Sequence, residues 1–514
     1  MKELLDTILG TYDPIWKSIL IDHDAIKSIE KNNPNILENL VYVHENYHWV
    51  QLTSTSLGHL ITLLPFFQRK TVQALIEMPE QFGRRIDVKN PLYFQTEQFS
   101  DIEIRILNND LLAIKNFASF ILNTNDIKEL SEKFKEYNQA MFSIFDMYLM
   151  FSKEIIVQCS NEDEYKVLVK KNRDFWDRKE NYSIYAFSKD LPLLGFVDLV
   201  ECAARIVEMK YYYGQCEIYK IARLNKSIDT SYFYNKNYFK PMDYIQLYFG
   251  KVELTDTLQN FLLIAIYIST NPSVVPFYRS TFSTSNDITN IHPGMRFVKI
   301  LKYIKNKYNN IDSAMENKNL YKEICQENKW ASEDAHEEDL RTYYEEAYRH
   351  VNSLENNGVE YITGRVYDIE YYIYMYYKVT ILKTKFHDYF IDPNIYLAKN
   401  EYIEIYREID NNIHCPVYFN LEKGMYQVNI SGMEICQIDE NGEIKVVESF
   451  KKQRSKKIEQ EFLNYLILGM FYELDNQLLF SKELMDYSIL QKFDIGEIGR
   501  EELKQLYIKE RHIK

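Results

Sequence analysis

The segment Asn35-Ile-Leu-Glu38-Asn-Leu-Val41-Tyr-Val-His44-Glu45-Asn46-Tyr47-His48-Trp49-Val50-Gln51, continuing through Thr55-Ser-Leu-Gly58 to Leu64, decides the fold class. Its apolar residues recur at intervals of three and four with no proline or strand-like alternation, the period of an α-helix with one buried face. Asn35 with Glu38 three residues later reads as a helix start, so the spacing predicts one helix over 35–64. Leu37, Val41, His44 and His48 fall on one stripe of that helix, which turns two imidazoles toward the interior.

The same period recurs across the chain. Helices are expected over about 98–122, 128–158, 196–222, 253–269, 294–308, 335–356 and 458–479. With only 15 Gly and 12 Pro in 514 residues, breakers are too few for a loop-rich or all-β chain. Val417-Tyr-Phe-Asn and Tyr426-Gln-Val-Asn-Ile alternate, however, and Asn441-Gly442 separates two short apolar runs, so a small antiparallel β element is expected over about 415–447. The run Tyr371-Tyr-Ile-Tyr-Met-Tyr-Tyr fits either a strand or a buried helix. The expected class is mainly α, a helical body with that small β element in its C-terminal region. The polar stretch near 307–335 and the shift to strand composition near 410 are the candidate seams, and the first divides a helical region 1–310, which holds the 35–64 helix, from a helical C-terminal region 311–514.

Composition narrows the functional classes. A net charge of −14 lacks the basic footprint that displaces counterions from nucleic acid, so DNA and RNA are not expected partners. Lys451, Lys452, Arg454, Lys456 and Lys457 form a basic run that reads as a solvated linker. No apolar stretch approaches the roughly 20 residues of a membrane span, and the first residues lack a basic start followed by an apolar stretch. The six cysteines form no Cys-x-x-Cys pair and suit a reducing compartment. Together these predict a cytoplasmic location and no membrane partner. Neither a phosphate-binding Gly-x-x-x-x-Gly-Lys loop, nor a Gly-x-Gly-x-x-Gly fingerprint, nor a Gly-x-Ser-x-Gly elbow occurs.

His44-Glu45-Asn46-Tyr47-His48 is the motif that carries chemistry. Imidazoles at i and i+4 lie one above the other on a helix and can grip one ion between them. Glu45 is about 100° around the helix from His44, close enough to take a proton from a water polarised by that ion without joining the ligands. This makes Zn2+ the expected cofactor, His44 and His48 its ligands and Glu45 the general base.

This motif resembles that of the zincin metallopeptidases, whose shared signature is a helix carrying His-Glu-x-x-His. The wider string His44-Glu-Asn-Tyr-His48-Trp-Val-Gln51 and Thr55-Ser-Leu-Gly58 also looks like a group of bacterial His-Glu-x-x-His proteins. The metzincin pattern would need Gly and His where Gln51 and Ser54 stand, so the resemblance implies the gluzincin arrangement, with a glutamate from a downstream helix as third ligand. Glu201-Cys-Ala-Ala-Arg205-Ile-Val-Glu208 is the best match, with Ala203 and Ala204 small enough for close helix packing. Glu201 is the expected third ligand and Glu208 its alternate or supporting partner. The competing reading of Glu201 is an ordinary i,i+4 pair with Arg205. Asp198 and the histidines at 59, 292, 336, 350, 387 and 414 are further ligand candidates. Ile291-His292-Pro293-Gly294-Met295-Arg296 reads as a turn entering a helix, from which His292 or Arg296 is a candidate to stabilise an oxyanion.

These readings converge on a zinc hydrolase acting on a protein or peptide. Three alternatives stay open on the sequence. One is a non-catalytic scaffold with a structural or degenerate zinc site, another a zinc hydrolase of non-peptide amides, and the third a bacterial toxin or phage-defence protease governed by a regulatory protein partner.

Overall fold

The computed structural model describes residues 10–13, 18–21, 34–64, 114, 117, 121–122, 192–219, 238–272, 290–356, 369–385, 417–420, 427–430, 434–438 and 444–446. These are mainly helical. In chain order the helices are α1 (Pro34–Ser54), α2 (56–64), α3 (Phe196–Tyr219), α4 (Lys240–Phe249), α5 (Asp256–Thr270), α6 (Pro293–Tyr308), α7 (Ile311–Met315), α8 (Leu320–Glu327), α9 (Glu333–Asn356) and α10 (Ile369–Lys385). Four of the expected helices match α3, α5, α6 and α9 to within a few residues. Of the expected 98–122 helix, positions 114, 117 and 121–122 are described and helical, while 128–158 and 458–479 lie outside the described residues. The undecided tyrosine run lies within α10.

α1 packs along α3 and touches α10, α5 joins α3 to α6, and α9 pairs with α10. Leu37, Val41, Trp49 and Val50 of α1 are buried, as are Ala203, Ala204 and Val207 of α3 and Phe261, Leu262 and Ala265 of α5. The small Ala203 and Ala204 let the two long helices approach closely, which brings their polar residues into range of one another. The polar stretch after α6 folds into α7 and α8, whose Ile311, Ala314, Leu320 and Ile324 are buried.

The sequence predicts one unbroken helix over 35–64, beginning at an Asn35 cap, and the structure corrects both points. The helix starts at Pro34, a residue suited to a first helical position because that N–H would have no partner anyway. It then breaks at Thr55 before resuming at 56–64. The break follows from four consecutive hydroxyl residues, which offer the backbone local alternatives to helical bonds. Thr55 Oγ1 donates to the Gln51 carbonyl at 2.7 Å and accepts from Gly58 N at 3.1 Å, so it caps the second helix. Ser56 N donates to Asn271 Oδ1 instead of an upstream carbonyl. A side chain at Gly58 would collide with the backbone of Leu52, its Cβ lying 2.5 Å from that carbonyl oxygen. Only glycine fits the inside of this bend.

The backbone also pairs in short strands. Gly10–Asp13 runs antiparallel to Ser18–Ile21, which lies parallel to Val417–Asn420. No helix among the described residues is long and apolar enough to cross a membrane.

Candidate metal centre

The centre forms where α1 meets α3. His44 and His48 stand one turn apart on α1, as their spacing requires, with ring centroids 4.8 Å apart and planes nearly perpendicular. Their Nε2 atoms are 3.1 Å apart. Glu201 of α3 closes the triangle, with Oε2 3.2 Å from His44 Nε2 and Oε1 3.5 Å from His48 Nε2. One ligand atom from each of the three residues lies within 4.8 Å of the others. Nitrogen and carboxylate donors meeting at one point fit a zinc ion by type and number.

The surroundings orient these donors. His44 Nδ1 lies 3.2 Å from Glu208 Oε2, and Glu208, fully buried, also forms an ion pair with Arg205, whose NH1 lies 2.7 Å away. A carboxylate only accepts, so His44 donates from Nδ1 to Glu208, and in the neutral ring its Nε2 lone pair would face the cluster. Arg205 pairs with Glu208, while the Glu201 carboxylate faces both imidazoles. His48 Nδ1 is 3.0 Å from Gln51 Oε1, while Gln51 Nε2 donates to the Val200 carbonyl at 3.1 Å.

The electrostatics are those of a cation site. Burial pulls the pKa of His44 down, but hydrogen bonds to Glu201 and Glu208 and the negative charge of Glu201 and Glu45 outweigh it and push the group up to about 10. Burial pushes Glu201 up, yet the neighbouring His48 and His44 hold it well below the ordinary carboxylate range. In effect, three electron-rich atoms converge on one point and hold positive charge there, whether it is a proton or a metal ion. Glu45, 6% exposed, has its pKa raised by burial, against the opposing pull of His44 and His48. That shift suits a group that must accept a proton and then return it.

Access comes from one side. The side chains of His44 and His48 are 7% and 11% exposed, whereas that of Glu201 is 33% exposed. No local pattern singles out Tyr238 among 43 tyrosines, but its ring stands edge-on to His44 with centroids 6.0 Å apart, and the Arg205 guanidinium lies 4.1 Å from its centroid. Burial also raises the Tyr238 hydroxyl above its usual pKa.

The remaining candidates have other tasks. His292 caps α6, its Nδ1 accepting from Met295 N. Arg296, 2% exposed, donates to the carbonyls of Ile268, Asn271 and Asn290 and stacks on Trp330. Both belong to helix ends and neither is part of the His44–His48–Glu201 group. Asp198 accepts from Gly195 N at the start of α3 and pairs with Lys240. His59 and His336 sit in a separate polar cluster near the α1–α2 break. The side chain of His350 and the positions 387 and 414 lie outside the described residues.

No protein-family model, curated protein or solved structure matches the chain.

Proposed function

We propose that the protein is a zinc-dependent hydrolase, a metallopeptidase of gluzincin type, in which His44, His48 and Glu201 hold the metal and Glu45 is the general base. The observation that carries this reading is the convergence of His44 Nε2, His48 Nε2 and the Glu201 carboxylate from two helices, with Glu45 beside them on α1. A structural zinc site uses four protein ligands and is closed, whereas a catalytic site keeps one position for water or substrate. Three ligands with a partly exposed Glu201 fit the second type, which favours a hydrolase over a scaffold.

When bound, zinc supplies a Lewis acid that acidifies water and polarises a carbonyl. The protein's own part is positioning and proton transfer. Glu208 holds His44 by its Nδ1–H, Arg205 holds Glu208, and the raised Glu45 takes a proton from water and returns it to a leaving amine. Tyr238 and Arg205 line the site beside His44. The architecture that accompanies this reading is a helical zincin-like body with a small antiparallel β element over 415–447, acting on proteins or peptides in the cytoplasm. The net charge of −14 gives nucleic acid little to bind.

The test is zinc content after purification without added metal, followed by turnover of a peptide library. The native chain is expected to carry about one zinc, His44→Ala and Glu201→Ala none, and Glu45→Gln a full complement with peptide turnover reduced about 10²–10⁴-fold. A native protein that takes up no zinc on reconstitution would overturn the proposal.

A further inference from the structure

We infer that Gln51 is a positioning residue that sets the metal-binding tautomer of His48 and fixes the register between the two ligand-bearing helices. The inference rests on the zinc reading above. It starts from the direction of one side-chain amide. The Val200 carbonyl can only accept, so the amide group facing it at 3.1 Å must be the NH2 of Gln51. The amide oxygen is thereby turned to His48 Nδ1 at 3.0 Å. Since that oxygen also only accepts, His48 donates from Nδ1, and in the neutral ring its Nε2 then keeps the lone pair. It is this Nε2 that lies 3.1 Å from His44 Nε2 and 3.5 Å from Glu201 Oε1.

Flipping the amide would set its oxygen against the Val200 carbonyl oxygen, two lone-pair atoms 3.1 Å apart. Gln51 is only 6% exposed, so solvent has little room to relieve that contact. The arrangement is self-consistent in one orientation only. Val200 also immediately precedes Glu201, so the same amide ties α1 to α3 one residue from the third ligand. The two imidazoles are thus held by unlike devices, His44 by the charged Glu208 and His48 by a neutral amide. Among the described residues no carboxylate faces His48 Nδ1, and Gln51 is the group that decides where its hydrogen sits.

The experiment compares native protein, Gln51→Leu and Gln51→Glu by zinc titration, by the visible spectrum of the Co2+-substituted form, and by nitrogen NMR of labelled histidine in the metal-free chain. Leu removes the acceptor, whereas Glu restores an acceptor at His48 Nδ1 although it forfeits the donation to Val200. Gln51→Leu is expected to weaken zinc binding 10–100-fold, to shift the Co2+ spectrum and to move the His48 hydrogen toward Nε2, with Gln51→Glu recovering most of the affinity. Equal affinity and an unchanged spectrum in Gln51→Leu would overturn the inference. Should the native chain bind no zinc, the metal reading fails and the tautomer decides: a His48 hydrogen fixed on Nδ1 in native protein and released in Gln51→Leu supports the role of Gln51, and an unchanged tautomer refutes it. A thermal melt of each variant separates these effects from loss of fold.

Discussion

Two buried polar clusters flank the same helical run, and they treat histidine in opposite ways. At the candidate metal centre, His44 faces carboxylates on both sides and its pKa is driven up to about 10. Beyond the bend at Thr55, His59 and His336 are equally buried but lie near the Lys383 ammonium, and both are pulled down to about 3 by burial. The Thr53 carbonyl opposes that shift at His59, and Lys383 adds to it at both. Tautomers differ as well. His44 and His48 donate from Nδ1 and direct Nε2 inward, whereas His59 donates from Nε2 to the Thr53 carbonyl at 2.6 Å and presents Nδ1 to the Tyr344 hydroxyl. Burial alone therefore says little about a histidine's task. The sign of the charge facing it decides whether the ring awaits a cation or serves as a neutral strut.

The largest expected difference between the clusters is in metal binding. Glu201→Ala removes a proposed ligand and is expected to weaken zinc binding by more than the 10–100-fold typical of a supporting residue, whereas His336→Leu leaves the affinity unchanged. Competition with a chromophoric chelator measures both, and similar losses in the two variants would erase the distinction drawn here. Next in size is the cost of unmaking the second cluster. Lys383 Nζ, with 5% of its side chain exposed, donates to the Ser54 carbonyl, the Tyr267 hydroxyl and Glu337 at 2.8–3.0 Å. Lys383→Met strands the end of α1 and leaves Glu337 uncompensated, for an expected loss of about 3 kcal/mol. This is the low end for a buried pair, because the Glu337 side chain is 24% exposed. Denaturant midpoints at constant slope would report it.

How much of this could be read from the sequence differs between the clusters for a physical reason. His44, His48 and Glu45 are legible because a helix fixes the relation between residues a few positions apart. Glu201 and Glu208 are legible only as a candidate pair on one face of another helix; which of them meets the imidazoles depends on the packing of α1 against α3 and on Arg205 pairing with Glu208. The second cluster draws on α1, α2, α5, α9 and α10, and no local pattern links Ser54 to Lys383, 329 residues away. The helix break itself had a visible cue in Thr53-Ser54-Thr55-Ser56 followed by Gly58, which the apolar period running through it conceals. His292 and Arg296 illustrate the converse, since residue types suited to an oxyanion site are equally suited to capping helix ends.

The smallest expected effect concerns His336, and it tests the idea of a neutral strut most directly. Both ring nitrogens are buried without a hydrogen-bond partner among the described residues, a condition that costs on the order of 1–3 kcal/mol. The folded state holds the ring neutral with a pKa of about 3 against 6.5 for the ordinary group, so between those values the unfolded chain binds a proton that the folded chain does not. Its contribution is then complete above pH 6.5 and is lost as pH falls toward 3, by about 1.4 kcal/mol per pH unit. His59 adds a similar slope. His336→Leu should therefore be neutral or stabilising by about 1 kcal/mol at pH 7 and should lessen the acid sensitivity over pH 3–6.5, leaving the part due to His59 and the carboxylates. Stability curves of the two proteins at several pH values measure this. A strong loss of stability at pH 7 would mean that the imidazole has a polar partner and is no inert strut.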